Sequence, residues 1–339
     1  MPTTVMLVIL LVCASIFVNG WTDSPNAIAT VISTRVLPPR LAITLGAICN
    51  FLGVLMTGSA VAATTATIVD LNAGADGLIT LAAAQLSIVL WATGAWRFGI
   101  PTSESHALIA GLMGAGIASS GLSALNGASI LRVAEGLVIS TVAGFILGYA
   151  ITWLIRQIAM LIRPERRRAN RFFSGGQVIS AALMAFSHGA QDGQKFMGVL
   201  ILALVLGGQM PPPAGDSWRI PIEIMLLCSF LMALGTSVGG YRIIKTMGME
   251  MVQLEKYEGF GAELAASGSM LYATWAGIPL STTNTKGTAM MGAGAVKGLR
   301  RVNWAVAREM VLAWVLTFPA CLLLGYVFAA VMRFLFLGG

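Results

Sequence analysis

The sequence predicts an all-α polytopic membrane protein. It reads as an inverted-topology repeat of two halves with about five crossings each, including broken or half-helices at the midplane. Three observations predict this class. Composition is the first: of 339 residues, 57% are hydrophobic and only 10% charged, against about 25% charged in a soluble globular chain. Mean hydropathy is +0.82. So little polar surface cannot cover a water-soluble particle of this size, which excludes a soluble domain, a disordered tail and a fibrous repeat. The second is charge placement. The net charge of +7 sits in short basic clusters between long apolar runs, the pattern of membrane topology and not of a nucleic-acid partner. The third is internal: two polar blocks recur in the same order in both halves.

A spanning helix needs roughly 20 apolar residues. Ten segments qualify: 3–34, 41–69, 78–97, 99–120, 129–162, 174–208, 219–247, 261–276, 277–296 and 303–335. Several exceed 30 residues and must tilt, break or project into water. Backbone polar groups in lipid must be satisfied internally, so helices are the default. The long continuous runs lack the ten-residue alternation of a membrane β-barrel. The first run, Val5 to Val18, has no basic flank or small-residue cleavage site and reads as a retained span. The cysteines Cys13, Cys49, Cys228 and Cys321 all lie in apolar runs without CxxC spacing, so they read as small buried residues.

Basic residues set the orientation. If Arg35 and Arg40 face the cytoplasm, so do Arg163, Arg166, Arg167, Arg168 and Arg171, then Arg242, Lys245 and Lys256, then Lys297, Arg300 and Arg301. The opposite loops carry Asp70, Asp76 and Asp216, with Arg132 and Arg219 as their main basic residues. One alternating assignment therefore obeys the positive-inside rule, with both termini extracellular in a multi-pass protein of the cell membrane. Residues 1–162 form the first repeat, 163–173 a basic cytoplasmic linker and 174–339 the second repeat. Five crossings per half is an odd number, so the second half is inverted relative to the first.

The repeat is visible in sequence. Asn19-Gly20-Trp21-Thr22-Asp23-Ser24-Pro25-Asn26 aligns with His188-Gly189-Ala190-Gln191-Asp192-Gly193-Gln194-Lys195, 169 residues later. Gly99-Ile100-Pro101-Thr102-Ser103-Glu104-Ser105-His106 aligns with Gly277-Ile278-Pro279-Leu280-Ser281-Thr282-Thr283-Asn284, 178 residues later.

The first block puts Asp23 and Asp192 inside crossings, where ionisable groups face a pathway or a partner. Gly20, Ser24, Pro25, Gly189 and Gly193 are poor helix formers. A helix broken beside each aspartate would turn backbone groups and a carboxylate toward a cation such as Na⁺, with Asn26 and Gln191 beside them. The bland alternative pairs the aspartates with Lys195 or Lys286, the two lysines within crossings. The second block places Pro101 and Pro279 in the first turn of a helix. Ser103, Ser105, Ser281, Thr282 and Thr283 then cluster at two helix starts, where free N–H groups and the dipole favour an anion. Both histidines of the chain, His106 and His188, fall in these blocks and suit oxyanion recognition. Glu104 stands in a hydroxyl-rich run. In protonated form it would sit beside an anion without repulsion, which makes it a candidate for H⁺ coupling.

The paired blocks resemble the inorganic phosphate transporter (PiT) family of secondary transporters, with its two Gly-Ala-Asn-Asp-Val-Ala-Asn signatures and paired Gly-x-Pro-x-Ser-Thr-Thr/Ser-His elements. The resemblance covers both halves. Asp23 and Asn26 match the first signature; His188, Gly189 and Asp192 match the His-Gly-x-x-Asp form of the second, with Gln194-Lys195 as a variant ending. Ser103, Ser105 and His106 match one hydroxyl element, and Ser281, Thr282 and Thr283 the other. Trp21-Thr22, Gln191, Glu104 and Asn284 depart from it. The resemblance implies phosphate and coupling cations held centrally between the repeats. The expected substrate residues are Ser103, Ser105, His106, Ser281, Thr282, Thr283, Asn284, Lys195 and His188. The expected coupling-ion residues are Asp23, Asn26, Asp192, Gln191, Glu104 and Lys286, with Asp23 and Asp192 as Na⁺ ligands.

The expected function is a phosphate symporter driven by Na⁺ or H⁺ and working by alternating access. No cofactor or catalytic residue is expected. Sulfate is the alternative substrate on the same scaffold. A passive anion channel and an intramembrane aspartyl protease using Asp23 and Asp192 are the other classes. The protease leaves the paired Pro-x-Ser blocks unexplained and lacks a Gly-x-Gly-Asp element. No Gly-x-x-x-x-Gly-Lys-Ser/Thr loop is present, so nothing supports ATP-driven pumping. The partners are therefore the anion and the lipid bilayer; Gly-rich helices also permit a homodimer.

Overall fold

A computed structural model describes residues 2–212 and 219–338; the Asp216 of one acidic loop lies outside them. The described residues form fourteen α-helices, with two π-helical turns and no strand. In the first half these are α1 (Pro2–Thr22), α2 (Pro25–Ser33), α3 (Pro39–Met56), α4 (Ala60–Ala66), α5 (Ala75–Arg97), α6 (Glu104–Ser120), α7 (Gly127–Val138) and α8 (Gly144–Ile162). In the second they are α9 (Arg166–Leu206), α10 (Ile222–Val238), α11 (Tyr241–Lys245), α12 (Lys256–Trp275), α13 (Thr282–Ala295) and α14 (Trp304–Leu337).

Among the described residues, six helical segments are long and apolar enough to cross a membrane. The bent pair Ile222–Val238 and Tyr241–Met251, angled by 65°, makes a seventh. Helices α9 and α12 are not among them, because they carry the buried polar groups described below, and α13 is too short. At 14 residues, α13 is about 21 Å long, short of the roughly 30 Å hydrocarbon core. It is a half-helix within the predicted crossing 277–296. Large side chains such as Leu10, Leu131, Ile146, Leu316 and Phe334 face outward, as lipid-facing positions must. The protein is thus a multi-pass helical membrane protein.

Glycines bring the helices together, at matching places in the two halves. Gly20 of α1 lies against the backbone O of Met232 in α10, and Gly189 of α9 against that of Asn50 in α3. Gly235 meets the Phe17 carbonyl, and Gly53 that of Phe186. Gly114 meets Leu322 O, and Gly292 meets Phe145 O. A Cβ at any of these positions would overlap the partner backbone. Small residues at such crossings are how membrane helices approach closely without a hydrophobic drive. Two isolated antiparallel bridges, Val69 to Leu125 and Val252 to Val302, complete the correspondence.

The predicted break at the first aspartate is present: α1 stops at Thr22 and α2 restarts with Pro25 at its first position. The second aspartate differs. Helix α9 runs unbroken from Arg166 to Leu206 through Asp192. The position matching Pro25 is Gln194, which keeps its N–H and does not clash with the preceding turn. Gly189 and Gly193 are there for packing, against Asn50 and Val54 of α3, and not to break the helix.

Candidate functional site

The Gly-Ile-Pro-x-Ser blocks build two helix starts that face each other. Each block first ends the preceding helix. Gly99 and Gly277 take positive φ, +72° and +67°, and Ile100 N–H and Ile278 N–H close onto Ala95 O and Ala273 O at 3.1 and 2.8 Å. This is the Schellman arrangement, which glycine permits at no steric cost. Pro101 and Pro279 therefore do not lie in a first helical turn, as the sequence reading has it; they occupy the extended link. Serine takes the cap instead. Ser103 Oγ accepts from His106 N–H and Ser281 Oγ from Asn284 N–H, each at 3.2 Å, because a Ser side chain reaches the third N–H of a helix start. The two cap hydroxyls touch, Ser281 Oγ donating to Ser103 Oγ at 2.8 Å. The N–H groups of Glu104, Ser105, Thr282 and Thr283 have no partner among the described residues.

The two aspartates converge on the same place. Thr283 Oγ1 donates to Asp23 Oδ1 at 2.5 Å and Thr282 Oγ1 to Asp23 Oδ2 at 3.0 Å. Asn26 Nδ2 donates to Asp23 Oδ1 at 2.6 Å. Asp192 accepts from Asn19 Nδ2 at 3.0 Å and from Lys195 Nζ at 2.7 Å. Lys195 Nζ also donates to Ser105 Oγ and to Leu280 O, both at 2.6 Å, so its three protons have three acceptors. All of these side chains are buried. Glu104 bonds Thr22 at the end of α1, on the aspartate side of the helix start. Gln191 reaches Thr274 Oγ1 at 3.1 Å and the backbone of the Gly277–Leu280 link, so it positions that link and forms no hydrogen bond with Asp23.

Asn50 sets the role of His188. Thr236 spends its proton on Met232 O at 2.8 Å and so accepts from Asn50 Nδ2 at 3.1 Å. This turns Asn50 Oδ1 toward His188 Nδ1, 3.0 Å away, making Nδ1 the donor. Nε2 then faces Asp192 Oδ2 at 3.5 Å. A proton on Nε2, or a cation shared with the carboxylate, satisfies both.

The donor set suits a small hard cation. Asp23, His188 and Asp192 bring one ligand atom each within 4.8 Å of one another. Asn19 Oδ1, Asn26 Oδ1 and Glu104 Oε2 are buried and lack any donor among the described residues. Unpartnered buried oxygens beside two carboxylates are what a Na⁺ ion would satisfy.

Three predicted residues lie elsewhere. His106 and Asn284, one turn into α6 and α13, line a cavity of about 370 Å³ with Thr141, Trp314 and Phe318, and neither side chain bonds an aspartate; Asn284 Oδ1 lies within hydrogen-bond distance of Ser281 Oγ, at 2.9 Å. Lys286 is not beside Asp23. It faces Glu263 of α12, 3.7 Å from Oε1, one turn farther along α13. Glu263, Asn19 and Asn50 were not singled out by the sequence reading. Glu263 carried a signal, as a carboxylate inside the apolar segment 261–276.

Comparison with known proteins decides the family. The model of the phosphate transporter family matches residues 19–325. This chain belongs to that family. It is 35% identical over 335 residues to a probable low-affinity inorganic phosphate transporter of Bacillus subtilis, with 98% of each chain covered. It is 37% identical over 312 residues to a protein of the same description from Rhizobium meliloti, covering 91% of this chain and 90% of that one. Its fold matches a solved structure described as the sodium-dependent phosphate transporter, with a TM-score of 0.85, 21% identity, and coverage of 98% and 99%.

Proposed function

We propose that this protein is a secondary active transporter that carries inorganic phosphate across the cell membrane together with Na⁺ or H⁺, by alternating access. One observation carries the reading: two capped helix starts meet head-on at Ser103 and Ser281, beside the aspartate pair. Four free backbone N–H groups, two positive dipole ends and the Ser103, Ser105 and Ser281 hydroxyls form an oxyanion site. Lys195 supplies a fixed positive charge there, and His106 lies beyond the cap. Asp23, Asp192, Asn19, Asn26 and Glu104 hold the coupling cation next to it. Anion and cation then stabilise each other at the site, which is the physical basis of symport. The names of the family and of the two bacterial relatives support phosphate as the anion, and the sodium-dependent neighbour supports Na⁺ as the cation.

The two halves act as inverted repeats, 1–162 and 174–339 joined by the linker 163–173, and rock about the site to expose it to each side in turn. The matched glycine contacts support that symmetry. Positive-inside counting places the linker in the cytoplasm and both termini outside. Labelled-phosphate uptake into proteoliposomes, with excess sulfate as competitor, tests the substrate. Uptake that sulfate leaves intact is expected; full block by sulfate would move the function to sulfate transport.

A further inference from the structure

A second polar cluster lies outside the central site and is fully buried. Glu263 of α12 accepts from Thr30 of α2, from Ser180 of α9 at 2.5 Å, and faces Lys286 of α13. Lys286 Nζ also donates to Thr30 Oγ1 at 3.1 Å. Glu263, Thr30, Ser180 and Lys286 are each 0% exposed. Two hydroxyls and an ammonium thus converge on one carboxylate. That is an oxyanion cradle, with the protein's own carboxylate as its occupant.

The cradle sits on a continuous polar line. Asn26, Thr30 and Thr34 follow one another every fourth residue, on one face of α2 and its C-cap. Asn26 touches Asp23 and Thr283 in the central site. Thr34 donates to Gln177 Oε1 at 2.9 Å. Gln177 is buried, and its Nε2, which lies against Gly259 of α12, has no acceptor among the described residues. Helix α13 repeats the line, with Thr282 and Thr283 in the central site and Lys286 one turn on. At its far end Thr34 lines a cavity of about 860 Å³ with Arg166, Arg167, Asn170, Lys256 and Tyr257. Glu165 and Glu255 also line this cavity but are engaged with Arg168 and Lys297. Arg166 and Arg167 have no acidic partner among the described residues.

We infer that Thr30, Ser180 and Lys286 form a second oxyanion-binding station, held shut by Glu263, on a path from the central site to the basic cavity on the linker face. The inference rests on the phosphate-transport reading for its ligand. The moving phosphate displaces the Glu263 carboxylate from the same three donors and restores it on leaving. Basic side chains in the outer cavity raise the local concentration of anion at the mouth. A carboxylate gate suits an anion path, because it closes against the donors that the anion uses and competes with it for them.

Radiolabelled phosphate binding to the purified protein, by equilibrium dialysis, tests this. The parent is expected to bind one phosphate per chain, Glu263→Ala two, and Glu263→Ala with Lys286→Met one. Equal stoichiometry in the parent and Glu263→Ala overturns the station while the central site stands. No binding by the parent but one phosphate on Glu263→Ala keeps the station and overturns the central site. Absence of binding from both overturns both. Should Glu263→Ala not fold, Glu263→Gln provides the second measurement. It leaves the Lys286 ammonium unpaired, which favours a hydrated, open path. Met184 of α9, buried at 0%, lies one turn beyond Ser180 toward His188. In a Met184→Cys background, Glu263→Gln is expected to raise labelling of the introduced thiol by a membrane-impermeant reagent tenfold or more, about 1.4 kcal/mol of shifted equilibrium. Unchanged labelling contradicts the path, whatever the transport assay gives.

Discussion

At the scale of residues, the site is a balance of buried charges. Two aspartates, one lysine and one histidine meet where several kcal/mol are at stake for each unpaired ion. Lys195 is the fixed cation of this set, and its removal leaves Asp192 buried opposite Asp23. Lys195→Met is therefore expected to lower stability by about 3–5 kcal/mol, and Asp192→Asn with Lys195→Met to recover most of it. Thermal unfolding in detergent reads this; identical melting of the single and double variants would show that the charges are not coupled. Asp23→Ala differs, because Asp23 is held by neutral hydroxyl and amide donors. Its loss should abolish cation-driven uptake while leaving a monodisperse protein. Normal uptake by that variant would remove Asp23 from the cation site.

At the scale of elements, glycine placement and helix caps do most of the positioning. Gly189→Ala forces a Cβ against the Asn50 carbonyl and should cost about 1–3 kcal/mol as overpacking. Gly175→Ala on the same helix meets nothing within 4 Å and should be neutral or stabilising. Equal melting temperatures for the two would refute the close-approach role of Gly189. These elements also show what a sequence discloses. The break before Pro25 was legible, since proline carries its own stop signal. The two serine caps were legible as a hydroxyl-rich pair, although their prolines lie in the link and not in the helix. The continuity of α9 through Asp192 was not, because glycine breaks a helix in water yet serves as a contact surface in a membrane bundle. The Lys286–Glu263 pair was hidden for another reason. Its partners come from four helices, α2, α9, α12 and α13, and no local pattern records which lysine meets which carboxylate.

At the scale of the whole molecule, fold class followed from composition and from the spacing of the basic clusters. The convergence of the recurring sequence blocks on one centre needed three dimensions. The orientation has a direct check. Ser123→Cys, exposed in the turn after α6, and Arg167→Cys, exposed at the start of α9, should react with an impermeant thiol reagent from opposite sides of the membrane. In intact cells the Ser123→Cys variant is expected to label from outside, and the Arg167→Cys variant only after lysis. Labelling of both from one side would overturn the inverted arrangement. The central claim is that the facing helix starts and the aspartate pair move an anion and a cation together. Its most direct test is uptake of labelled phosphate by proteoliposomes under an imposed Na⁺ gradient or, separately, an H⁺ gradient. The account predicts accumulation above equilibrium under one of the two gradients, lost when that gradient is dissipated. Entry that only equilibrates, unaffected by either gradient, would contradict symport and leave a passive anion path.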